Sequence, residues 1–171
     1  MKPALLVIDM QKAFAKGFGK ESMDRAAQTI NRAVKLFREN NFPVIWIQNE
    51  DKNGDLVPGS SGFDMVDSLL KPLDHEKRIT KHYSNSFNKT DLLEYLIREK
   101  ADTPIVTGYN SLYCVLSTYR GAVDQDLSPI ILKNASASDN REYIKLVEDI
   151  HDIISINVLE QVIKVCVTIQ A

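Results

Sequence analysis

The sequence has few of the residues that mark specialised classes of protein. Its 171 residues include only two cysteines, Cys114 and Cys166, too few for the disulfide framework of a small secreted domain. The net charge is -2, from 21 Lys and Arg against 23 Asp and Glu, so neither a nucleic-acid partner nor a membrane partner is expected. No apolar run approaches the roughly 20 residues of a membrane-spanning helix. We therefore expect a cytoplasmic protein.

Glycine and histidine are also scarce. The first apolar run is followed by "DMQKAF", which lacks the glycines that bring a backbone against a pyrophosphate. The segment "KGFGK" at residues 16–20 also lacks the full fingerprint and is interpreted as a flexible connection. The three histidines have no companion at ligand spacing, and the loop at residues 49–64 contains none. We expect no cofactor and no metal.

What the chain does have is a regular alternation of strand and helix patterns. Six apolar runs rich in β-branched residues, each bounded by turn residues, read "ALLVID", "PVIWIQ", "KRITK", "PIVTG", "SPIILK" and "DIISI". Helical patterns separate them, near residues 23–40, 90–99, 140–149 and 158–165 and around Cys114. The alternation predicts a single α/β domain over residues 1–171, with a mostly parallel, six-stranded, doubly wound sheet in three layers.

Three chemically suited side chains follow predicted strands. Asp9 ends the first strand, Lys81 ends the third, and Cys114 comes shortly after the fourth. In an open α/β sheet the ligand crevice lies beyond the carboxyl ends of the strands, so these residues are expected to meet if all three strands are central. The carboxylate could then accept the thiol proton while the ammonium stabilises the charge that forms.

Each of these residues also has an ordinary structural interpretation. Asp9 could cap the next segment, Lys81 could be solvated, and Cys114 could fill a gap in the core, as free cysteines often do. If Cys114 is functional, its place near a helix start is expected to lower its pKa below about 8.5. Cys166, in the apolar C-terminal run, is interpreted as structural.

Three segments then resemble the motif blocks of a known family. "LLVIDMQKAF", "ITKHYSNSFNKTDL" and "VTGYNSLYCV" are similar, in that order, to the blocks of the isochorismatase-like cysteine hydrolases. That family includes nicotinamidases, N-carbamoylsarcosine amidohydrolase and ureidoacrylate amidohydrolase. The resemblance runs from about residue 4 to residue 137.

The resemblance implies a role for each matching position. Asp9 corresponds to the family's acid/base, Lys81 to its lysine and Cys114 to its nucleophile. It also implies a cis peptide bond between Tyr109 and Asn110, and an oxyanion hole formed by the backbone N–H groups of Asn110 and Cys114. Homo-oligomers are common in the family, so a dimer or tetramer is expected.

The sequence departs from the family pattern at several positions. Lys12 and Ala13 replace a frequent Asn and Asp, and Asn134 stands where an aspartate often follows the fifth strand. The departures bear on the substrate more than on the chemistry. Aromatic side chains near the strand ends are the candidate walls of a substrate pocket: Phe14, Trp46, Tyr83, Phe87 and Tyr113.

The expected function is metal-independent hydrolysis of a C–N bond in a small amide or ureido compound, through a thioester on the cysteine. One alternative is vinyl ether hydrolysis of the isochorismatase type, which uses the aspartate and does not need the thiol. Another is a non-catalytic relative that keeps the fold and acts as a binding scaffold.

Overall fold

The sheet has six parallel strands, as the alternating pattern predicted. The computed structural model describes residues 1–52 and 54–170. The strands are β1 (Pro3–Ile8), β2 (Val44–Asn49), β3 (Lys77–Lys81), β4 (Thr103–Tyr109), β5 (Ile130–Ala137) and β6 (Ile153–Ile154). Their order in the sheet is β3-β2-β1-β4-β5-β6, so the chain starts in the middle and winds outward in both directions.

Central strand β1 is buried along its whole length, because helices cover both faces of the sheet. It pairs with β2 on one side and β4 on the other, so that Leu5 lies beside both Val44 and Ile105. The strand order reverses between β1 and β4, and the carboxyl ends of these two strands open the crevice where doubly wound folds bind ligands.

Five α-helices within the described residues form the two outer layers. They are α1 (Gly17–Glu39), α2 (Leu92–Arg98), α3 (Leu116–Val123), α4 (Arg141–Ile150) and α5 (Ile156–Gln170). The apolar side of α1 and the buried residues of α5 join Leu5 and Val7 in one core. The other three helices pack on the opposite face, around Leu6 and Ile8. Among the described residues, no helix has the length and apolar character needed to cross a membrane.

The first helix begins six residues earlier than its pattern indicated, and the interpretation of "KGFGK" as a flexible connection is wrong. Gly17 and Gly19 lie in the first turn of α1. A β-carbon on Gly19 would lie 3.1 Å from the carbonyl oxygen of Phe14. The second glycine therefore allows a close approach between the helix and the preceding turn, and it does not break the helix.

The fifth strand is longer than predicted. Asn134 was expected to follow β5, but the strand continues to Ala137, and Asn134 lies inside it with φ of 63°. The pairing of β4 with β5 shifts register between Val106 and Gly108, which accommodates this irregularity. The long connection from β2 to β3 contains no helix or strand in its described parts, residues 50–52 and 54–76.

Candidate active site

The three predicted residues meet beyond the carboxyl ends of the strands. Asp9 directly follows β1, Lys81 is the last residue of β3, and Cys114 lies in a single turn of π-helix that leads into α3. Lys81 Nζ lies 2.7 Å from Asp9 Oδ2 and 3.4 Å from Cys114 Sγ. The Asp9 and Lys81 side chains are 1% and 0% exposed, so this ion pair is shielded from water.

The structure corrects one step in the argument for this cluster. Lys81 does not lie on a central strand, because β3 is at the edge of the sheet and β2 separates it from β1. Neighbouring strands are about 4.8 Å apart, so β3 and β1 are separated by roughly 10 Å, and the Lys81 and Asp9 side chains close this gap together through their 2.7 Å contact. The long, unbranched lysine side chain covers most of the distance and places a compact charge at its end.

Asp9 is held in place by its backbone but retains a free oxygen. Its φ is 49°, in the left-handed region, and its N–H donates to the Ile47 carbonyl at 2.8 Å. Within the described part of the chain, Oδ1 has no hydrogen-bond partner. Burial raises the pKa of Asp9 above 3.8, outweighing the opposing effect of the Lys81 charge. A buried carboxylate of this kind is a stronger base than a solvated one.

The Cys114 thiol differs from the sequence-based expectation. A helix start was expected to lower its pKa, whereas the structure raises that pKa to about 12. Burial is the largest cause and the Asp9 carboxylate the next, and together they outweigh Lys81. The resting cysteine is therefore a neutral thiol, and forming a nucleophile requires a base that takes its proton.

The turn that carries Cys114 is fixed by the residues after β5. The peptide bond between Tyr109 and Asn110 is cis. Asn110 Nδ2 donates to Asp139 Oδ1 at 2.9 Å, and Asn110 Oδ1 accepts from Leu112 N at 3.2 Å and Ser138 Oγ at 3.1 Å. Ser138 and Asp139 were not predicted from the sequence, because the apolar run of the fifth strand ends at Lys133. With the true end at Ala137, the rule that located Asp9 would have located them.

The aromatic residues predicted to line a pocket have different surroundings. Phe14 is half-buried and stacks on Tyr109 at 5.3 Å between ring centroids, beside the Cys114 turn. Phe87 is half-buried against the core on the face that carries the turn. Tyr83 and Tyr113 are exposed.

Trp46 was also predicted to line the pocket, and that prediction is wrong. Its side chain is fully buried in the core beneath α1, on the opposite face of the sheet from the Cys114 turn. Its Nε1 donates to Glu76 Oε2 at 2.7 Å. Side chains alternate between the two faces of a strand, and the position of Trp46 in β2 directs it away from the site.

The loop after β2 is anchored near the cluster by Gln11. This buried side chain donates to the carbonyls of Asn49 and Phe63 at 3.0 and 3.2 Å, and it accepts from Asn49 N at 2.8 Å.

Among residues 1–52 and 54–170, no group of three His, Cys, Asp or Glu side chains could hold a metal ion. The chemical groups gathered here are a base, an ammonium and a thiol.

Comparisons with known proteins agree on the family. The isochorismatase domain model matches residues 3–147. YrdC of Bacillus subtilis, described as an isochorismatase family protein, is 34% identical over 140 residues, covering 80% of this chain and 74% of the relative. The N-carbamoylsarcosine amidase of an Arthrobacter species is 26% identical over 151 residues, covering 76% of this chain and 57% of the relative.

A solved structure shows the same fold. The isochorismatase-like hydrolase of Alkaliphilus metalliredigens superposes with a TM-score of 0.85 at 24% identity, covering 95% of this chain and 99% of its own. The matched domain spans β1 to α4 and therefore includes all three residues of the cluster. This chain belongs to the isochorismatase family and is a hydrolase of that family.

Proposed function

We propose that the protein is a metal-independent cysteine hydrolase that cleaves the C–N bond of a small amide or ureido compound. One observation carries the proposal: Lys81 Nζ contacts both the buried Asp9 carboxylate and the Cys114 sulfur, while Asp9 Oδ1 has no hydrogen-bond partner among the described residues. A base with a raised pKa beside a neutral thiol is suited to general-base activation of a nucleophile.

In the first half-reaction, Asp9 takes the thiol proton as Cys114 Sγ bonds to the substrate carbonyl carbon. The tetrahedral oxyanion accepts hydrogen bonds from the backbone N–H groups of Asn110 and Cys114, each contributing about 3 kcal/mol. Asp9 then donates its proton to the leaving nitrogen, the C–N bond breaks, and a thioester remains on Cys114.

In the second half-reaction, water replaces the amine. Asp9 takes a proton from the water as the water oxygen attacks the thioester carbon. The C–S bond then breaks, and Asp9 gives that proton to the Cys114 sulfur. The charge of Lys81 keeps Asp9 ionised at the start of each half-reaction, because an opposite charge at 2.7 Å favours the carboxylate over the acid. Burial of the ion pair excludes bulk water, which would weaken this effect.

The choice of an amide or ureido substrate rests on one relative and on the position of the thiol. The Arthrobacter relative is named as an N-carbamoylsarcosine amidase, and the thiol occupies the position that a nucleophile would need. The vinyl ether alternative would use Asp9 and leave Cys114 without a chemical role.

The test is a screen for ammonia or amine release from small amides and N-carbamoyl compounds, followed by mass spectrometry of the acid-quenched enzyme. We expect an adduct on Cys114 equal in mass to the acyl or carbamoyl group. We also expect Cys114→Ser to lose hydrolysis by at least about 10³-fold, while Cys166→Ser remains active. An amide that the Cys114→Ser variant hydrolyses at the parental rate would overturn the proposal, and a vinyl ether that it hydrolyses at the parental rate would favour the alternative.

A further inference from the structure

A cavity lies away from the Asp9, Lys81 and Cys114 cluster, at the open edge of β5. Strand β6 pairs with Ile131 and Leu132, and among the described residues no strand lies beside the later part of β5 on that side. Helices α1 and α4 flank the gap and enclose a cavity of about 620 Å³. This volume lies within the range of roughly 300–1,000 Å³ found for small-molecule sites. Polar side chains in its lining include Ser22, Arg25, Asn134, Ser136, Arg141 and Glu148.

Ser136 contributes a buried hydroxyl that has no partner. The residue is 5% exposed, and among the described residues nothing hydrogen-bonds to its Oγ. Buried polar side-chain atoms in native proteins are nearly always hydrogen-bonded, so an isolated hydroxyl in a cavity wall calls for an explanation. A ligand oxygen reaching the base of the cavity would provide the missing partner.

Two arginines bring positive charge to the same place. The guanidinium carbons of Arg25 and Arg141 lie 5.2 and 5.4 Å from the centroid of the Phe18 ring, which restricts the positions of both groups. Arg141 forms no ion pair within residues 1–52 and 54–170. Arg25 Nη1 lies 3.8 Å from Oε2 of the exposed Glu21, and an ion pair of this length is weak in water.

The acidic residues of the lining do not cancel this charge. Glu148 Oε1 accepts the backbone N–H of Asn134 at 2.9 Å, and Asp149 pairs with Lys145 at 3.0 Å. Lys145 neutralises Asp149, so the two guanidinium groups face the single remaining carboxylate of the lining, that of Glu148. Guanidinium groups offer a planar fork of donors that matches the oxygens of a carboxylate or phosphate.

We propose that this cavity is a binding site for a small organic anion that carries a carboxylate or phosphate group. Arg25 and Arg141 bind the anionic group, and Ser136 Oγ donates a hydrogen bond to an oxygen of the same ligand. The site needs no catalytic activity and is independent of the function proposed above.

Two hydrogen bonds link the wall of the cavity to the turn that carries Cys114. Ser22, in its wall, accepts the backbone N–H of Ser138 at 3.1 Å, and Ser138 Oγ donates to Asn110 Oδ1 at 3.1 Å. An occupied cavity therefore adjoins the hydrogen bonds that hold Asn110.

The experiment is a titration of the full chain followed by backbone-amide NMR, with inorganic phosphate and succinate as separate probes. Ionic strength is held constant with sodium chloride. We expect saturable shifts centred on residues 134–136 and 141, and the tighter of the two probes identifies the anionic group. Removing both guanidinium groups in Arg25→Ala/Arg141→Ala should raise the Kd at least tenfold.

Arg98→Ala is the matched control, because its guanidinium also lies over an aromatic ring, that of Tyr95 at 4.8 Å, but does not line the cavity beside β5. This variant should bind like the parent, and Ser136→Ala should bind several-fold more weakly while retaining a dispersed spectrum. Shifts that fail to saturate, that centre on Cys114, or that weaken equally in Arg98→Ala would overturn the proposal.

Discussion

The protein buries two carboxylates beside cations, and the two are used differently. Asp9 pairs with Lys81 through one oxygen and leaves the other unpartnered within the described residues. Glu76 uses both oxygens: Arg38 donates to each at 2.8 and 2.9 Å, and Oε2 also accepts from Trp46 Nε1 at 2.7 Å. The Glu76 side chain is 4% exposed, so both carboxylates lie in the protein interior.

Their pKa values move in opposite directions. Burial opposes ionisation in both, but in Glu76 the hydrogen bonds from Arg38, Leu73 N and Trp46 outweigh it and lower the pKa. In Asp9 burial outweighs Lys81, and the pKa rises. A fully hydrogen-bonded carboxylate stabilises the fold, whereas one that retains a free oxygen and a raised pKa can accept a proton. The balance between burial and hydrogen bonding therefore distinguishes the catalytic candidate from the structural ion pair.

The largest expected difference is in hydrolysis. Asp9→Asn removes the base and should lower kcat/KM by about 10³-fold or more for any substrate found in the amide screen. Glu76→Gln should leave kcat/KM within about threefold of the parent, because Glu76 contacts α1 and β2 rather than the Cys114 turn. Steady-state rates compare them, with circular dichroism as a folding control. Equal losses would show that the comparison is wrong.

Glu76 should matter for stability although it hardly affects hydrolysis. Glu76→Gln leaves the half-buried Arg38 without its counter-ion, and we expect a loss of about 3 kcal/mol in the free energy of unfolding. The matched control is Asp67→Asn, since Asp67 also pairs with a cation, Lys12, but is 90% exposed. That change should cost less than about 1 kcal/mol. Urea unfolding measures both, and similar losses would contradict a structural role for burial.

Trp46→Phe tests the contribution of the uncharged donor to Glu76. The change removes the hydrogen bond to Glu76 and part of a fully buried ring, so we expect about 2 kcal/mol of destabilisation with kcat and KM unchanged. Urea unfolding and steady-state rates provide the two readouts. A raised KM would instead indicate that Trp46 contributes to substrate binding.

The thiol offers a test of Asp9 that requires no substrate. With a pKa of about 12, Cys114 should react slowly with iodoacetamide at pH 8, since little thiolate is present. Asp9→Asn removes a negative charge that opposes the thiolate, so alkylation of Cys114 should accelerate by about tenfold. Peptide mass spectrometry follows Cys166 as the internal control. Glu76→Gln should leave both rates unchanged, and a fast parental Cys114 would contradict the neutral thiol.

The smallest expected effect is in the pH dependence of unfolding. The folded pKa of Glu76 is lowered, so its stabilising contribution is present above about pH 4.5 and is lost as pH falls through the folded value. The folded pKa of Asp9 is raised, so its contribution is greatest at low pH and is lost as pH rises from 3.8 through the folded value. When the free energy of unfolding is measured from pH 3 to 7, the value for Glu76→Gln should therefore fall relative to the parent as pH rises. The destabilisation of Asp9→Asn relative to the parent should become smaller over the same range.

Local patterns were sufficient for most of the fold. The six strands were predicted because each apolar run is bounded by turn residues, and the parallel sheet because helices separate the strands. The errors fell where a residue's usual preference was overridden by a tertiary contact. Gly19 lies inside α1 because the helix packs closely on Phe14, and Asn134 lies inside β5 at a register shift.

The sequence by itself determined the chemical groups of the candidate site. The carboxyl ends of parallel strands share one edge of a sheet, so Asp9, Lys81 and Cys114 could be placed together from their positions in the chain. Ser138 and Asp139 escaped notice because the strand end was misplaced by four residues.

Only the tertiary structure decided how those groups behave. Whether a carboxylate is a base or a structural anchor depends on how far burial outweighs the donors around it, and whether a thiol is charged depends on its burial and neighbouring charges. These quantities are sums over residues distant in the chain. The sequence therefore specifies which side chains reach the site, while their packing sets the proton affinity of Asp9 and Cys114.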